Sequence, residues 1–390
     1  MGHDTADRET QPATRRESQA ILAAWASFGV GVLFGLVALA GDPRPITGEG
    51  SVTQPTAGIA ALVAACAFVL STLLHRRGET VPMPPWQRAV SRAATVALTV
   101  AFAAVAYMGV ITGGEILSLG LQGLEAPAIG GALLTGIASA ASGWLSYQAG
   151  VELRTHDLAT LLFSYLTIGT LFAMITAADP RWWERHFSEL GTGTGAWAFN
   201  GTLIVAGLLV ATIGAYLGRD LHRWLGDGAL RRIAAVVVLF ALTGAALAGV
   251  GFFPVSGDRL VHSIAAFGTL GLFGASAVAV LIVMPGPPRA MLLTTVGAGI
   301  GVVAALLLWR PFALISIAGL EVIVVGIIFV WLTTLVRTVA AGAPQASLPS
   351  GRPRLRGDRR APAATRWAEA VPPKGGSGST SGDGDGKVDA

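Results

Sequence analysis

Gly251-Phe-Phe-Pro-Val-Ser-Gly-Asp-Arg-Leu-Val-His262 separates two long apolar runs, residues 233–250 before it and 263–284 after it. Each run is long enough to cross the hydrocarbon core of a bilayer as a helix, which takes about 20 residues. The short polar stretch between them packs a proline, a glycine, an acid, a base and a histidine into one turn-sized connection. Two crossings joined by so brief a link set the pattern for the rest of the chain. Eight further runs follow it, at about 20–40, 57–74, 94–112, 128–149, 158–177, 198–217, 290–309 and 312–336. The expected fold is therefore all-α, a polytopic integral membrane bundle of about ten transmembrane helices.

Composition points the same way. Hydrophobic residues make up 53% of the 390 and charged residues only 13%, against about 25% charged in soluble domains. Cys66 is the single cysteine, which excludes an intramolecular disulfide and any cysteine-cluster metal site. Lys374 and Lys387 are the only lysines among 27 basic residues. So Arg-, Ala- and Gly-rich a chain suggests a high-GC bacterial genome. No Gly-x-x-x-x-Gly-Lys-Ser/Thr loop is present, so nucleotide hydrolysis by that route is excluded. Nothing implies a cofactor, a bound metal or a nucleic-acid partner. Ala38-Leu39-Ala40 resembles a signal-peptidase site, but the preceding apolar run exceeds the usual 7–15 residues of a signal core. An uncleaved anchor is the expectation.

Orientation follows from arginine placement beside the helix ends. One set of connections holds Arg15, Arg16, Arg76, Arg77, Arg88, Arg92, Arg154, Arg219, Arg223, Arg231, Arg232 and Arg289; the other holds Arg44, Arg181, Arg185, Arg259 and Arg310. Both termini are therefore expected in the cytoplasm, with the protein in the plasma membrane. Trp182, Trp183, Trp197 and Trp309 fall at the outer boundary and Trp25, Trp86, Trp224 and Trp331 at the inner one, as two aromatic belts would. Gly31-xxx-Gly35, Gly136-xxx-Ala140, Ser139-xxx-Gly143 and Gly297-xxx-Gly301 place small residues on one helix face, where backbones approach closely. Gly268, Gly271 and Gly274 do the same in the eighth run. Residues 1–19 read as a polar N-terminal segment and 20–150 as a four-helix module. Residues 341–390 read as a disordered tail, whose Arg352, Arg354, Arg356, Arg359, Arg360, Arg366 and Lys374 suit contact with anionic lipid.

Three places carry candidate chemistry. Residues 179–191 have Trp183, Phe187 and Leu190 at helical spacing behind Asp179-Pro180, which suggests a short amphipathic helix lying in the outer interface and ended by Gly191. Trp182, Trp183 and Phe187 are its interfacial residues. In residues 251–262, Asp258 and Arg259 suit a polar head group and His262 is a candidate for proton exchange; equally, Asp258 suits a helix cap. No second histidine stands at metal-binding spacing. Glu321 is the sharpest single residue. With its helix starting near Pro311 it lies about 15 Å deep, where an ionised acid costs about 2.5–3.5 kcal/mol. No Lys, Arg or His shares that level, and only Ser139, Thr167 and Thr243 come close. Glu321 is then either protonated and hydrogen-bonded, or bound to a cation.

From Asp157 to about Arg337 the chain resembles a bacterial family of multi-pass membrane proteins known only as domain of unknown function 998, itself similar at a distance to Frag/DRAM/Sfk-type membrane proteins. The carrying residues are Trp182-Trp183, Ser188-x-Leu190-Gly191, Phe199-Asn200, Gly207, Phe253-Pro254 with Asp258 and His262, and Leu320-Glu321. Val255-Ser256-Gly257 between the proline and the acid departs from the family pattern. The resemblance implies six packed helices over 157–337 and no established activity; it adds Asn200 to the candidate residues. With no catalytic set in view, the expectation is a non-enzymatic bundle that contacts membrane lipids or a partner protein through its outer loops. The alternative is a secondary transporter or channel with Glu321 as its proton or cation site.

Overall fold

The computed structural model describes residues 3–75, 85–284 and 286–342, and the side chains of all of these except 3–16, 85–88, 152 and 342. Most of the basic tail, with Arg352 to Lys374, therefore lies outside the described residues, as do Arg76 and Arg77 and the side chains of Arg15, Arg16, Trp86 and Arg88. The order of elements is α1 (His3–Ala38), β1 (Arg44–Pro45), α2 (Thr53–Leu74), α3 (Pro85–Gly120), β2 (Glu125–Ala126) and α4 (Ala128–Glu152). It continues with α5 (Thr155–Ile175), α6 (Ala196–Leu225), α7 (Leu230–Phe252), α8 (Arg259–Val283), α9 (Arg289–Trp309) and α10 (Ile317–Gly342). Ten helices among the described residues are long and apolar enough to cross a membrane. The chain is an all-α multi-pass membrane protein.

Each expected run is present, and most extend past their apolar core. The α1 backbone is helical from His3, well before the apolar window that opens at Glu17. The polar first residues thus continue the helix, rich as they are in Ala, Arg, Glu and Gln, which favour it. One boundary moves the other way: α10 begins at Ile317 and not near residue 312. Ser316 caps it, its hydroxyl accepting the Gly319 N–H at 3.1 Å and its carbonyl the Leu320 N–H at 3.0 Å. A serine at that position satisfies amides the first turn leaves unpaired.

The helix ends divide the connections between two faces. Arg154, Arg219, Arg223, Arg231, Arg232 and Arg289 lie on one, the arginine-rich face. The loops 39–52, 121–127, 176–195, 253–258 and 310–316 lie on the opposite face. There β1 and β2 pair antiparallel, Arg44 beside Ala126 and Pro45 beside Glu125, tying the α1–α2 and α3–α4 loops over Leu39, Ile46 and Val52.

Small residues set the closest packing. Gly31 and Gly35 of α1 lie against Ser139, Thr135 and Ala132 of α4, and Gly136 against Phe28 and Val32. The tightest seam joins α6 and α7. A Cβ at Gly207 would strike the carbonyl oxygen of Gly244, and one at Gly244 would strike that of Gly207. No lipid tail could supply the attraction, since hydrocarbon is the solvent; close backbone approach does. By contrast, Gly268, Gly271, Gly274 and Gly297 have nothing within 4 Å of a built Cβ among the described residues, so the expected close packing is not seen there. Trp331 also departs from expectation. It is not a belt residue but fully buried, its indole N–H donated to the Thr295 hydroxyl at 2.9 Å and its ring edge-on to Phe273. One core cluster runs through α2, α3, α5, α6, α7, α8 and α10, with Phe68, Phe102, Tyr165, Phe240 and Trp331 among its largest members.

Candidate functional site

The α5–α6 loop on the opposite face is built by turns. Asp179 accepts the Arg181 N–H at 2.9 Å, an Asx turn of the kind aspartate favours. Two short 3₁₀ turns follow, Trp182–Glu184 and Phe187–Gly191. The expected continuous amphipathic helix is therefore broken between them, where Arg185 and His186 leave helical geometry. Gly191 does not end it in the left-handed region; Gly193 takes that conformation, at φ 74°. Gly191 is needed for another reason: a Cβ there would meet the Asn200 side chain. Trp182 and Phe187 stack edge-on at 5.0 Å and turn inward onto the core, whereas Trp183 is 54% exposed.

Residues far apart in the chain hold this loop down. Glu321 Oε2 accepts the Phe187 backbone N–H at 2.6 Å. Because α10 starts at Ile317, Glu321 stands one turn from the helix end, about 6 Å along it, and not about 15 Å deep. Its partner is a loop amide, so Ser139 and Thr243 play no part; Thr243 instead shares its hydroxyl with Ser276 at 3.4 Å. His262 is 6% exposed and bridges two loops. Its Nδ1 lies 2.8 Å from the Phe253 carbonyl and its Nε2 2.9 Å from Ser188 Oγ. A carbonyl only accepts, so Nδ1 carries a proton and donates to Phe253, and Nε2 pairs with the Ser188 hydroxyl, which can donate or accept. Asn200, in the second turn of α6, donates to the Gly191 carbonyl at 3.2 Å. Asp258 caps α8, accepting from the Leu260 and Val261 amides at 3.0 and 3.1 Å. Arg259 is exposed beside it.

Sequence reasoning thus named Glu321, His262 and Asn200 without their partners, and the helix cap is the one of its two readings of Asp258 seen here. It missed Ser188, His186 and Glu189 as working members. Glu189 accepts from Arg185 at 3.3 Å and faces His186 at 3.6 Å. Burial pushes the His186 pKa below its usual value; the Glu189 charge opposes this, and His262, Arg259 and Arg185 add to it. A signal was present in the four polar residues of Arg-His-Phe-Ser-Glu, too dense for a lipid-facing helix. Among the described residues no group of three or more His, Cys, Asp or Glu side chains is placed to hold a metal.

What this arrangement can do chemically is limited by how its polar atoms are engaged. The carboxylates of Glu321 and Asp258 hold backbone amides, and the imidazole of His262 joins a carbonyl to a hydroxyl. Large apolar side chains are exposed on this face, Trp183, Trp197, Phe252, Phe253 and Leu260, the last 70% exposed, among exposed charges at Arg181, Glu184, Arg185 and Arg259.

Neither the curated proteins nor the solved structures contain a match to the chain. Residues 158–338, which run from the start of α5 to the end of α10, match the family model described as "Protein of unknown function (DUF998)". The match to the DUF998 family thus covers this six-helix region, just under half of the chain, and contains every residue of the clamped loop.

Proposed function

We propose that the protein is a non-enzymatic bundle of a bacterial plasma membrane, both termini cytoplasmic, whose outward cap rests on lipid head groups. The supporting observation is the division of labour in the cap. Glu321, His262, Ser188 and Asn200 are turned to one another and to loop backbone, while Trp183, Trp197, Phe253 and Leu260 face out among exposed charges such as Arg185 and Arg259. Trp183, Trp197, Phe253 and Leu260 present an apolar rim at the height where indole rings favour the membrane boundary. A cap stiffened by Glu321, His262 and Asn200 keeps that rim in one shape. The cytoplasmic placement of the termini rests on the arginine count of the two faces.

A spin label carried by Trp183→Cys or Leu260→Cys in a Cys66→Ala background tests the reading in lipid vesicles. Relaxation by dissolved oxygen should exceed relaxation by a water-soluble nickel chelate at both positions. Dominant relaxation by the chelate at both would mean that the cap stands clear of the membrane, and would sink the proposal. Transport through Glu321 makes a different forecast: Glu321→Gln would abolish ion-dependent flux in vesicles. The cap reading expects the same small passive leak with either side chain.

A further inference from the structure

We propose that the cleft between α4 and α5 binds a zwitterionic aminophospholipid, one whose head group carries both a phosphate and a primary ammonium. This site lies away from the cap, on the arginine-rich face, and the inference is independent of the cap reading.

The cleft follows from connectivity. Only Leu153 and Arg154 separate the end of α4 from the start of α5, so the two helices share an apex. They then diverge, because each has another partner. α4 is held by α1 and α2, through Gly31 and Gly143 on one side and Ser71, whose hydroxyl donates to the Tyr147 carbonyl at 2.7 Å, on the other. α5 is held by α6 and α10, through Gly169 against Thr202 and Phe163 edge-on to Phe329. The space left is about 1120 Å³, with α3 as its floor. Its inner walls are mostly apolar, with Phe102, Val105, Leu145, Leu161 and Ile168 along them and the hydroxyl residues Ser142 and Ser164 between. Its mouth at the apex is polar, with Glu17, Gln148, Arg154, His156 and Asp157.

An acyl chain gains little by leaving lipid for such a wall, since both are hydrocarbon. Selection must therefore come from the mouth. Asp157 is already engaged: Oδ2 accepts the Arg154 backbone N–H at 2.8 Å and Oδ1 faces His156 at 3.1 Å. Among the described residues of the mouth that leaves one guanidinium, Arg154, and one carboxylate, Glu17, both exposed at the rim. A guanidinium pairs with phosphate through parallel N–H bonds. A carboxylate accepts from an ammonium that carries N–H groups. A head group bearing both charges satisfies both residues. An anionic head without an amine leaves Glu17 unpaired and meets the repulsion of two acids. A quaternary ammonium brings no N–H for Glu17 to accept.

The full-length chain, purified in mild detergent, would be offered equal amounts of phosphatidylethanolamine, phosphatidylcholine and phosphatidylglycerol with identical acyl chains. Bound lipid would be read by native mass spectrometry. The ethanolamine lipid should be retained at least about fivefold over each of the others, as one charge-assisted pair implies. Glu17→Gln should erase the preference over phosphatidylglycerol. Arg154→Gln should lower retention of the ethanolamine lipid. Gly109→Leu fills the cleft at a position where a Cβ meets nothing within 4 Å, so the variant should keep its melting temperature and elution volume while losing bound lipid of every kind. Equal or stronger retention of phosphatidylglycerol by the wild type would overturn the proposal. So would a Gly109→Leu protein, folded by those two measures, that holds as much ethanolamine lipid as before.

Discussion

Glu321 shows how far a single acid can be read without its surroundings. Its charge inside an apolar run was plain, and the cost of placing it there pointed to a partner. The partner is the Phe187 amide, 134 residues away in the chain, and no local pattern announces a backbone donor. Counting depth from Pro311 overstates it, because Ser316 caps the helix. The clamp makes a graded forecast. Glu321→Gln keeps a side-chain oxygen for the Phe187 N–H and should melt close to the wild type in detergent. Glu321→Ala strands that amide in a half-buried position and should lose about 1–3 kcal/mol. Equal melting of the two variants would show that the bond carries nothing. His186 gives a pH forecast. Its pKa in the folded protein is lowered, so the unfolded chain binds more protons as pH falls below the ordinary histidine value of about 6.5. Stability from this group is complete above that value and declines as pH drops toward the depressed pKa. Melting temperature should therefore fall from pH 7 to pH 5, and His186→Gln should flatten part of the fall.

Helices were legible because the bilayer imposes one requirement on each of them: about 20 apolar residues with all backbone groups bonded within the segment. That requirement is written locally, so ten runs could be found by reading alone. Where no membrane constrains the chain, periodicity misled. Trp183, Phe187 and Leu190 share a helical spacing, yet the segment forms two 3₁₀ turns. Long-range bonds to Glu321 and His262 decide its path. Glycine patterns were legible in kind but not in place. Gly31-xxx-Gly35 does meet α4, while Gly268, Gly271 and Gly274 meet nothing among the described residues. The seam of α6 and α7, Gly207 with Ala211 against Gly244 with Ala248, is also a small-xxx-small pair and was not singled out as one. It is the more sensitive site. Gly207→Leu forces a side chain onto the Gly244 backbone and should cost about 1–3 kcal/mol or more by overpacking. Gly268→Ala has open space and should change stability by no more than about 1 kcal/mol, toward a firmer helix. Melting curves of both in one detergent decide the contrast.

Ten crossings return the end of α10 to the face from which α1 starts, and leave the clamped α5–α6 and α7–α8 loops together on the other. Everything proposed for the protein hangs on that arrangement. The cap can meet outer head groups only if both loops face outward, and the α4–α5 cleft can select an inner-leaflet lipid only if its mouth opens on the arginine-rich side. The arginine count that sets the orientation was visible in the sequence. The shared position of Ser188 and His262 was not, since it needs α5 to α8 folded against one another. Cys66 is the only cysteine, so Cys66→Ala gives a background in which single thiols report position. The most direct measurement is labelling of Ser256→Cys and Gly228→Cys in intact cells by a maleimide that does not cross membranes. Ser256→Cys should label at once, and Gly228→Cys, in the α6–α7 turn, only after the membrane is opened. Labelling of Gly228→Cys in intact cells while Ser256→Cys stays protected would contradict the orientation, and labelling of both in intact cells would contradict α7 as a crossing.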